Sequence, residues 1–136
     1  METCEGMGAI VDPHLAEWDY GEYEGLSRSE IDPRWDLFTQ GAPGGEMPEQ
    51  VAKRADQFLK TVASYKGKMA VFSHGHFLRV LAIRFLGLKI GEAKLFLVQP
   101  ASLSILGYEK NQPAIILWND VGTFSKDAGD RMHERG

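Results

Sequence analysis

The sequence predicts an α/β fold, on three observations. A one-faced helical pattern runs from Pro48 to Tyr65. A short, wholly apolar run, Met69-Ala70-Val71-Phe72, follows it and leads into a strongly apolar helical stretch, Phe77 to Leu86. Two later segments, Ala101 to Tyr108 and Ala114 to Trp118, read as strands. Helix and strand signals that alternate along one chain imply a sheet covered by helices. The 136 residues are 43% apolar with three Trp, seven Phe and four Tyr, enough to build a core.

Each element has its own local reason. Leu15 to Gly25 is acidic and aromatic, alternates poorly, and reads as an irregular loop opened by a short strand. Ser27-Arg28-Ser29-Glu30 has capping-box spacing and predicts a short helix, which Pro33 interrupts. Gln40 to Glu46 carries Gly41, Pro43, Gly44 and Gly45 and reads as a loop with little intrinsic order. From Pro48 onward, Val51, Ala55, Phe58, Leu59 and Val62 share one helical face, and Pro48 suits the first turn. Met69 to Phe72, bounded by Gly67 and Gly75, has the character of a buried parallel strand. Gly87 caps the Phe77–Leu86 helix, and Glu109 to Pro113 forms a hairpin turn. Residues 1–124 are taken as the folded portion and 125–136 as a polar tail.

Charge and cysteine content narrow the function. Fifteen Lys and Arg against nineteen Asp and Glu leave a net charge of −4, so no nucleic-acid footprint is expected. No apolar run approaches the ~18 residues of a membrane span, and no secretory leader is seen. Cys4 stands alone and cannot form an internal disulfide, so a cytoplasmic protein is expected.

Chemistry concentrates where the apolar run meets the second helix. Ser73-His74-Gly75 lies at a strand end and a helix start, where unpaired backbone N–H groups and the positive end of the helix dipole suit an anion, phosphate above all. Gly75 lets a ligand approach the backbone, and His74 adds a titratable donor. The alternative is a plain turn bearing a surface histidine. His74 and His76 are spaced to share one side of a strand, but zinc needs three or four ligands, and Cys4, His14 and His133 are scattered; no metal is expected. Glu17, Asp19, Glu22 and Glu24 crowd eight positions. One of them, partly buried beside Trp18 or Tyr20, suits a general acid, and spacing does not say which. Gly41 to Gly45 lacks the Gly-Lys-Ser/Thr of a phosphate-binding loop and reads as a mobile connection or a lid.

Three segments in order carry a family resemblance. Leu15-Ala16-Glu17-Trp18-Asp19-Tyr20-Gly21-Glu22-Tyr23-Glu24-Gly25 resembles the acidic segment of the histidine phosphatase superfamily, the phosphoglycerate-mutase-like enzymes. Gly44-Gly45-Glu46 and the following helix with Val51 and Arg54 resemble its Gly-Glu segment. Val71-Phe72-Ser73-His74-Gly75, with Arg79 downstream, is similar to its second histidine motif. The resemblance implies hydrolysis of a phosphomonoester through a phosphohistidine, with no metal and no cofactor. It implies Glu17 as the acid that protonates the leaving oxygen. It implies His74 as the group that binds the phosphoryl oxygens, its charged form neutralising negative charge that develops in the transition state. The acidic segment is nearest to the small sugar-phosphate and broad-specificity phosphatases. His76 and Ser102 are candidate substrate contacts, with ordinary turn and strand residues as the alternative. The expected partner is a phosphorylated small molecule or inorganic phosphate.

The resemblance also implies what the chain lacks. No Arg-His-Gly, the family's nucleophile motif, occurs in the 136 residues. Loss of a nucleophile from a group that acts as a unit costs about a million-fold in rate, so the chain alone is expected to be inactive. The implied fold is a phosphoglycerate-mutase-like three-layer α/β/α arrangement, incomplete because the N-terminal strands are missing. Met69 to Ser73 then loses both sheet neighbours, and self-association through exposed sheet edges is one expected outcome. The expected alternatives to a fragment of a phosphatase are a non-catalytic phosphate-binding relative and a subunit that completes its sheet with another chain.

Overall fold

The computed structural model describes residues 10–122. The chain divides into two compact units, Met1–Phe96 and Leu97–Gly136.

The first unit opens with isolated 3-10 turns, Pro13–Leu15, Gly21–Tyr23 and Arg28–Glu30, and no strand begins the acidic segment. The Glu30 carboxylate accepts from the Ser27 N–H at 3.2 Å, as the capping-box spacing predicts. The helix stops after one turn, however: Ile31 is already extended, and Pro33 disfavours helical backbone at Asp32. Helix α1, Leu37–Gln40, is capped by the Asp36 carboxylate, which accepts from the Phe38 N–H at 3.0 Å, and ends at Gly41, whose φ is 70°. Helix α2, Pro48–Val62, ends three residues short of the expected Tyr65; of the expected stripe it buries Val51, Ala55 and Phe58, and Leu59 and Val62 pack half-buried beside them.

Helix α3, Gly75–Phe85, starts two residues ahead of the expected Phe77. It buries Phe77, Val80, Leu81, Ala82 and Ile83. Its end is a Schellman motif: Leu88 N–H donates to Ile83 O at 2.9 Å and Gly87 N–H to Arg84 O at 3.0 Å, with Gly87 at φ 75°. A 3-10 segment, Ile90–Leu95, follows. Trp18, Phe38, Val51, Phe77, Val80 and Ile83 form the centre of the core, and Trp18 meets Phe38 edge-on at 5.7 Å.

Two expectations fail here. Met69 to Phe72 is not a buried strand: no strand covers it, and Met69 and Phe72 are 45% and 50% exposed. The described residues of this unit contain no strand to pair with it, and an extended segment without a partner must solvate its backbone. Only Val71 leans on the core, and the Ser73 hydroxyl ties the segment down by donating to Leu15 O at 2.6 Å. Gly41 to Gly45 is not a loose connection or a lid. Ala42 is buried, and the loop exchanges backbone hydrogen bonds with the acidic segment, Glu22 N–H to Pro43 O at 2.8 Å and Glu46 N–H to Asp19 O at 2.9 Å.

The second unit is an antiparallel hairpin, β1 Leu103–Glu109 and β2 Gln112–Asp120. Glu109 faces Gln112, so the turn is Lys110-Asn111, shorter than the expected Glu109 to Pro113. Both turn residues have positive φ, 49° and 65°, as a primed two-residue turn requires. Pro113 lies inside β2 opposite Tyr108, tolerable because a two-stranded ribbon leaves each strand an open edge. Gln99 N–H donates to the Asn119 side-chain oxygen at 2.8 Å, and Trp118 Nε1–H to Leu97 O at 2.8 Å. Helices and a two-stranded sheet together are a partial α/β fold. Among the described residues no helix is long and apolar enough to cross a membrane.

Candidate active site

The acidic segment and the histidine turn meet at the start of α3. The Glu17 carboxylate accepts from the Phe77 N–H at 2.9 Å and the His76 N–H at 3.3 Å, two of the first-turn amides of the helix. It also accepts from its own neighbour, the Trp18 N–H, at 2.9 Å. A helix N-terminus offers such donors together with a positive dipole end. The anion that occupies this one is a side chain of the same chain. His74 is the N-cap residue of α3, with an exposed side chain, and Gly75 opens the first turn.

Glu17 is held there by a brace that spacing does not reveal. Arg54, on α2, forms a bidentate pair with Glu46, Nη2 to Oε1 at 2.9 Å and Nε to Oε2 at 3.0 Å. Its Nη1 donates to the carbonyls of His14 and Ala16, at 2.8 and 2.7 Å. The guanidinium lies 4.6 Å over the Phe77 ring. Glu46 completes the brace: its carboxylate accepts from the Asp19 N–H and its carbonyl from Trp18 Nε1–H, both at 2.9 Å. Gly45 and Gly21 let the two backbones cross. A Cβ on Gly45 would collide with the Asp19 carbonyl oxygen, and one on Gly21 with the Pro43 carbonyl.

His76 is the second ring at the site. Its Nδ1 is hydrogen-bonded to the Tyr20 hydroxyl and lies 3.9 Å from Glu17 Oε2. The ring meets Tyr20 edge-on at 5.5 Å and tilts against Phe38 at 5.8 Å. Burial pushes the His76 imidazole below the ordinary histidine range; the Glu17 charge opposes this and the Arg79 charge adds to it. Burial, and then the charge of Glu17, push the Tyr20 phenol well above its ordinary value, so it keeps its proton. Arg79 lies over the other side of this cluster, 4.6 Å from the Phe38 ring centre, and donates to the carbonyls of Ala93 and Lys94 at 3.1 and 3.0 Å.

Glu17, His74, Gly75 and His76 are therefore brought together. Ser102 is a half-buried residue of the second unit, just before β1. Of the other carboxylates, Asp19 accepts from the Gly21 N–H at 2.9 Å within its own turn, and Glu22 and Glu24 are exposed. Among the described residues no group of three potential metal ligands converges. Cys4 and His133 lie outside the described residues. Tyr20, Glu46, Arg54 and Arg79 are the contributors to the cluster that spacing left unassigned. Their only sequence signal is their place within, or just after, the three motif segments.

Residues 2–121 match the family model of the histidine phosphatase superfamily, branch 1, and the chain belongs to that superfamily. An acid phosphatase of Mycobacterium tuberculosis (strain ATCC 25618 / H37Rv) is 40% identical over 117 residues, 80% of this chain and 58% of that protein. A sedoheptulose 1,7-bisphosphatase of Saccharomyces cerevisiae (strain ATCC 204508 / S288c) is 29% identical over 101 residues, 60% of this chain and 37% of that protein. The solved structure of the open reading frame Rv3214 from M. tuberculosis superposes with a TM-score of 0.78 at 34% identity, covering 88% of this chain and 66% of that one. The α-ribazole phosphatase of Shigella flexneri shares the fold, with a TM-score of 0.70 at 16% identity over 88% of this chain and 67% of that one. The chain thus spans little more than half the length of the first of these curated relatives.

Proposed function

We propose that this chain carries the acid and phosphate-binding half of a phosphomonoesterase site, with a small phosphorylated molecule as substrate. The observation that supports this best is the meeting of the Glu17 carboxylate with the first-turn amides of α3, next to His74. In this reading His74, the Gly75 backbone and the α3 dipole receive the phosphoryl oxygens. Glu17, protonated, gives its proton to the leaving oxygen as the P–O bond breaks and the electron pair departs with that oxygen. In the superfamily the phosphoryl group passes to the histidine of an Arg-His-Gly motif and then to water, and these 136 residues do not supply that acceptor. Ser102 is kept as a candidate substrate contact, and no cofactor is assigned. Relatives that bear phosphatase names, for sugar bisphosphates among others, support the reaction class and leave the particular ester open. One cysteine suits a reducing, cytoplasmic setting.

The 136 residues hold no Arg-His-Gly, so we assign this polypeptide by itself phosphate binding without turnover. Incubation with p-nitrophenyl phosphate is expected to release no nitrophenolate, while inorganic phosphate raises the melting temperature through preferential binding to the folded form. Turnover by the chain alone, abolished by His74→Ala, would overturn the inactive reading. A melting temperature indifferent to phosphate would overturn the binding one. The Met69–Phe72 segment, unpaired by any strand among the described residues and with Met69 and Phe72 exposed, favours a second reading, a subunit that pairs this segment with a strand of another chain. Size-exclusion chromatography showing a monomer at all concentrations, with no partner retained, would end that reading.

A further inference from the structure

We infer that a groove beside the candidate active site is a subsite for a neutral polyhydroxylated group, a sugar or an open-chain polyol. The groove has a volume of about 390 Å³ and is lined by Tyr23, Asp32, Arg34, Trp35 and Gln40. That volume lies in the range of small-molecule sites, where ring walls and a few placed polar groups fix a ligand. Its side chains are tied down by the protein itself. The Asp32 carboxylate accepts from Arg34 Nε at 3.2 Å, from Arg34 Nη2 at 3.0 Å and from the Arg34 backbone N–H at 2.9 Å. Gln40 Oε1 accepts from the Asp36 N–H at 2.7 Å, and Trp35 Nε1–H donates to Gly41 O at 2.9 Å. The Tyr23 ring meets Trp35 edge-on at 4.9 Å. A ligand therefore finds the groove largely ordered, and little side-chain freedom is lost on binding.

What these side chains leave unused defines the ligand. Arg34 Nη1, the Gln40 amide nitrogen and the Tyr23 hydroxyl have no hydrogen-bond partner among the described residues, and Asp32 Oδ2 accepts only from Arg34 Nη2. Donors and an acceptor thus line one groove, and its two lining charges, on Asp32 and Arg34, cancel. Arg28 lies over the Trp35 ring, 5.8 Å from its centre, outside the lining. A hydroxyl both donates and accepts, so it pairs with either kind of group. An oxyanion would meet Asp32 Oδ2 as a like charge, and an apolar group would strip water from the donors and pair with none. The groove and the candidate active site are built on the same two elements. Tyr23 closes the 3-10 turn that follows Tyr20, its N–H donating to Tyr20 O at 2.9 Å, and Tyr20 touches His76. Gln40 ends α1, whose Phe38 packs against His76. The polyhydroxylated group has two possible sources. One is a free sugar; the other is the alcohol part of an ester whose phosphoryl group lies at α3, and this second source rests on the phosphomonoesterase reading.

The test is an NMR titration of the isotope-labelled 136-residue chain, read at the Trp35 indole N–H and at the amides of Tyr23, Arg34 and Gln40. The probes are glucose, sorbitol, glucose 6-phosphate and inorganic phosphate. Glucose or sorbitol is expected to shift these signals saturably, and Arg34→Ala, at an exposed position, to weaken that binding about ten-fold. Tyr23→Phe keeps the ring contact, removes the hydroxyl and is expected to weaken it about five-fold. Groove signals that glucose 6-phosphate moves together with the His74–Phe77 amides, at lower concentration than glucose requires, identify the ester as the source. Equal affinities for glucose and glucose 6-phosphate identify a free sugar. The inference is overturned if glucose, sorbitol and glucose 6-phosphate all leave the groove signals unmoved at about 0.1 M. It is equally overturned if inorganic phosphate moves them as far as glucose 6-phosphate does, or if Arg34→Ala and Tyr23→Phe bind as the wild type does. The glucose and sorbitol arms carry no phosphate, so they stand apart from any failure of the phosphomonoesterase reading.

Discussion

Glu17 satisfies two demands with one carboxylate. It caps α3 through the His76 and Phe77 amides, and it stands where the phosphoryl group of the proposed substrate must also bind. Two anions compete for one helix end. Glu17→Gln removes one of the charges and is expected to raise the affinity for inorganic phosphate about five-fold, read by calorimetric titration. His76 gives a pH signature. Its folded-state pKa is lowered relative to the unfolded chain, so the unfolded state binds more protons between the two values and stability rises with pH there. The melting temperature is therefore expected to fall as pH drops through about 6.5, the unfolded value, and His76→Asn to flatten that part of the curve. At this scale the sequence was readable only in part. Spacing left Glu17, Asp19, Glu22 and Glu24 equivalent, and the family resemblance chose Glu17. The Tyr20–His76 and Glu46–Arg54 pairs join positions 56 and 8 apart, and nothing in composition or periodicity announces them.

At the scale of elements, the acidic segment, the Gly-Glu loop and the starts of α2 and α3 form one unit around Arg54. Arg54 and Glu46 side chains are only 16% and 22% exposed, so removing the arginine leaves a largely buried carboxylate unpaired. Arg54→Ala is expected to cost about 3 kcal/mol in chemical denaturation, far more than a surface ion pair. Gly45→Ala is expected to unseat Glu17 through the Asp19 carbonyl, seen as loss of phosphate binding with the hairpin signals unchanged. Helices α2 and α3 and the hairpin were legible because each carries its period and its stop signals within its own residues. For Met69 to Phe72 the apolar run alone points to a buried strand, whereas the loss of both sheet neighbours that the resemblance implies agrees with the strandless segment found. An apolar run of four describes a buried strand only if partners exist, and strand pairing is not a local property. The glycines of 41–45 were read as freedom, whereas Gly45 serves close backbone approach; both readings have the same sequence signature.

For the whole molecule, family membership and the partial α/β fold are established by the match over residues 2–121 and by the superposition on Rv3214. In the proposed site, acid and phosphate share one place, the N-terminus of α3. A phosphate titration of the isotope-labelled 136-residue chain, followed by backbone NMR, reads this out residue by residue. Shifts are expected to be confined to His74–Phe77 and Glu17–Trp18, saturating together and at lower phosphate concentration in Glu17→Gln. Shifts centred elsewhere, or an absence of change at Gly75, His76 and Phe77 at saturating phosphate, would contradict it.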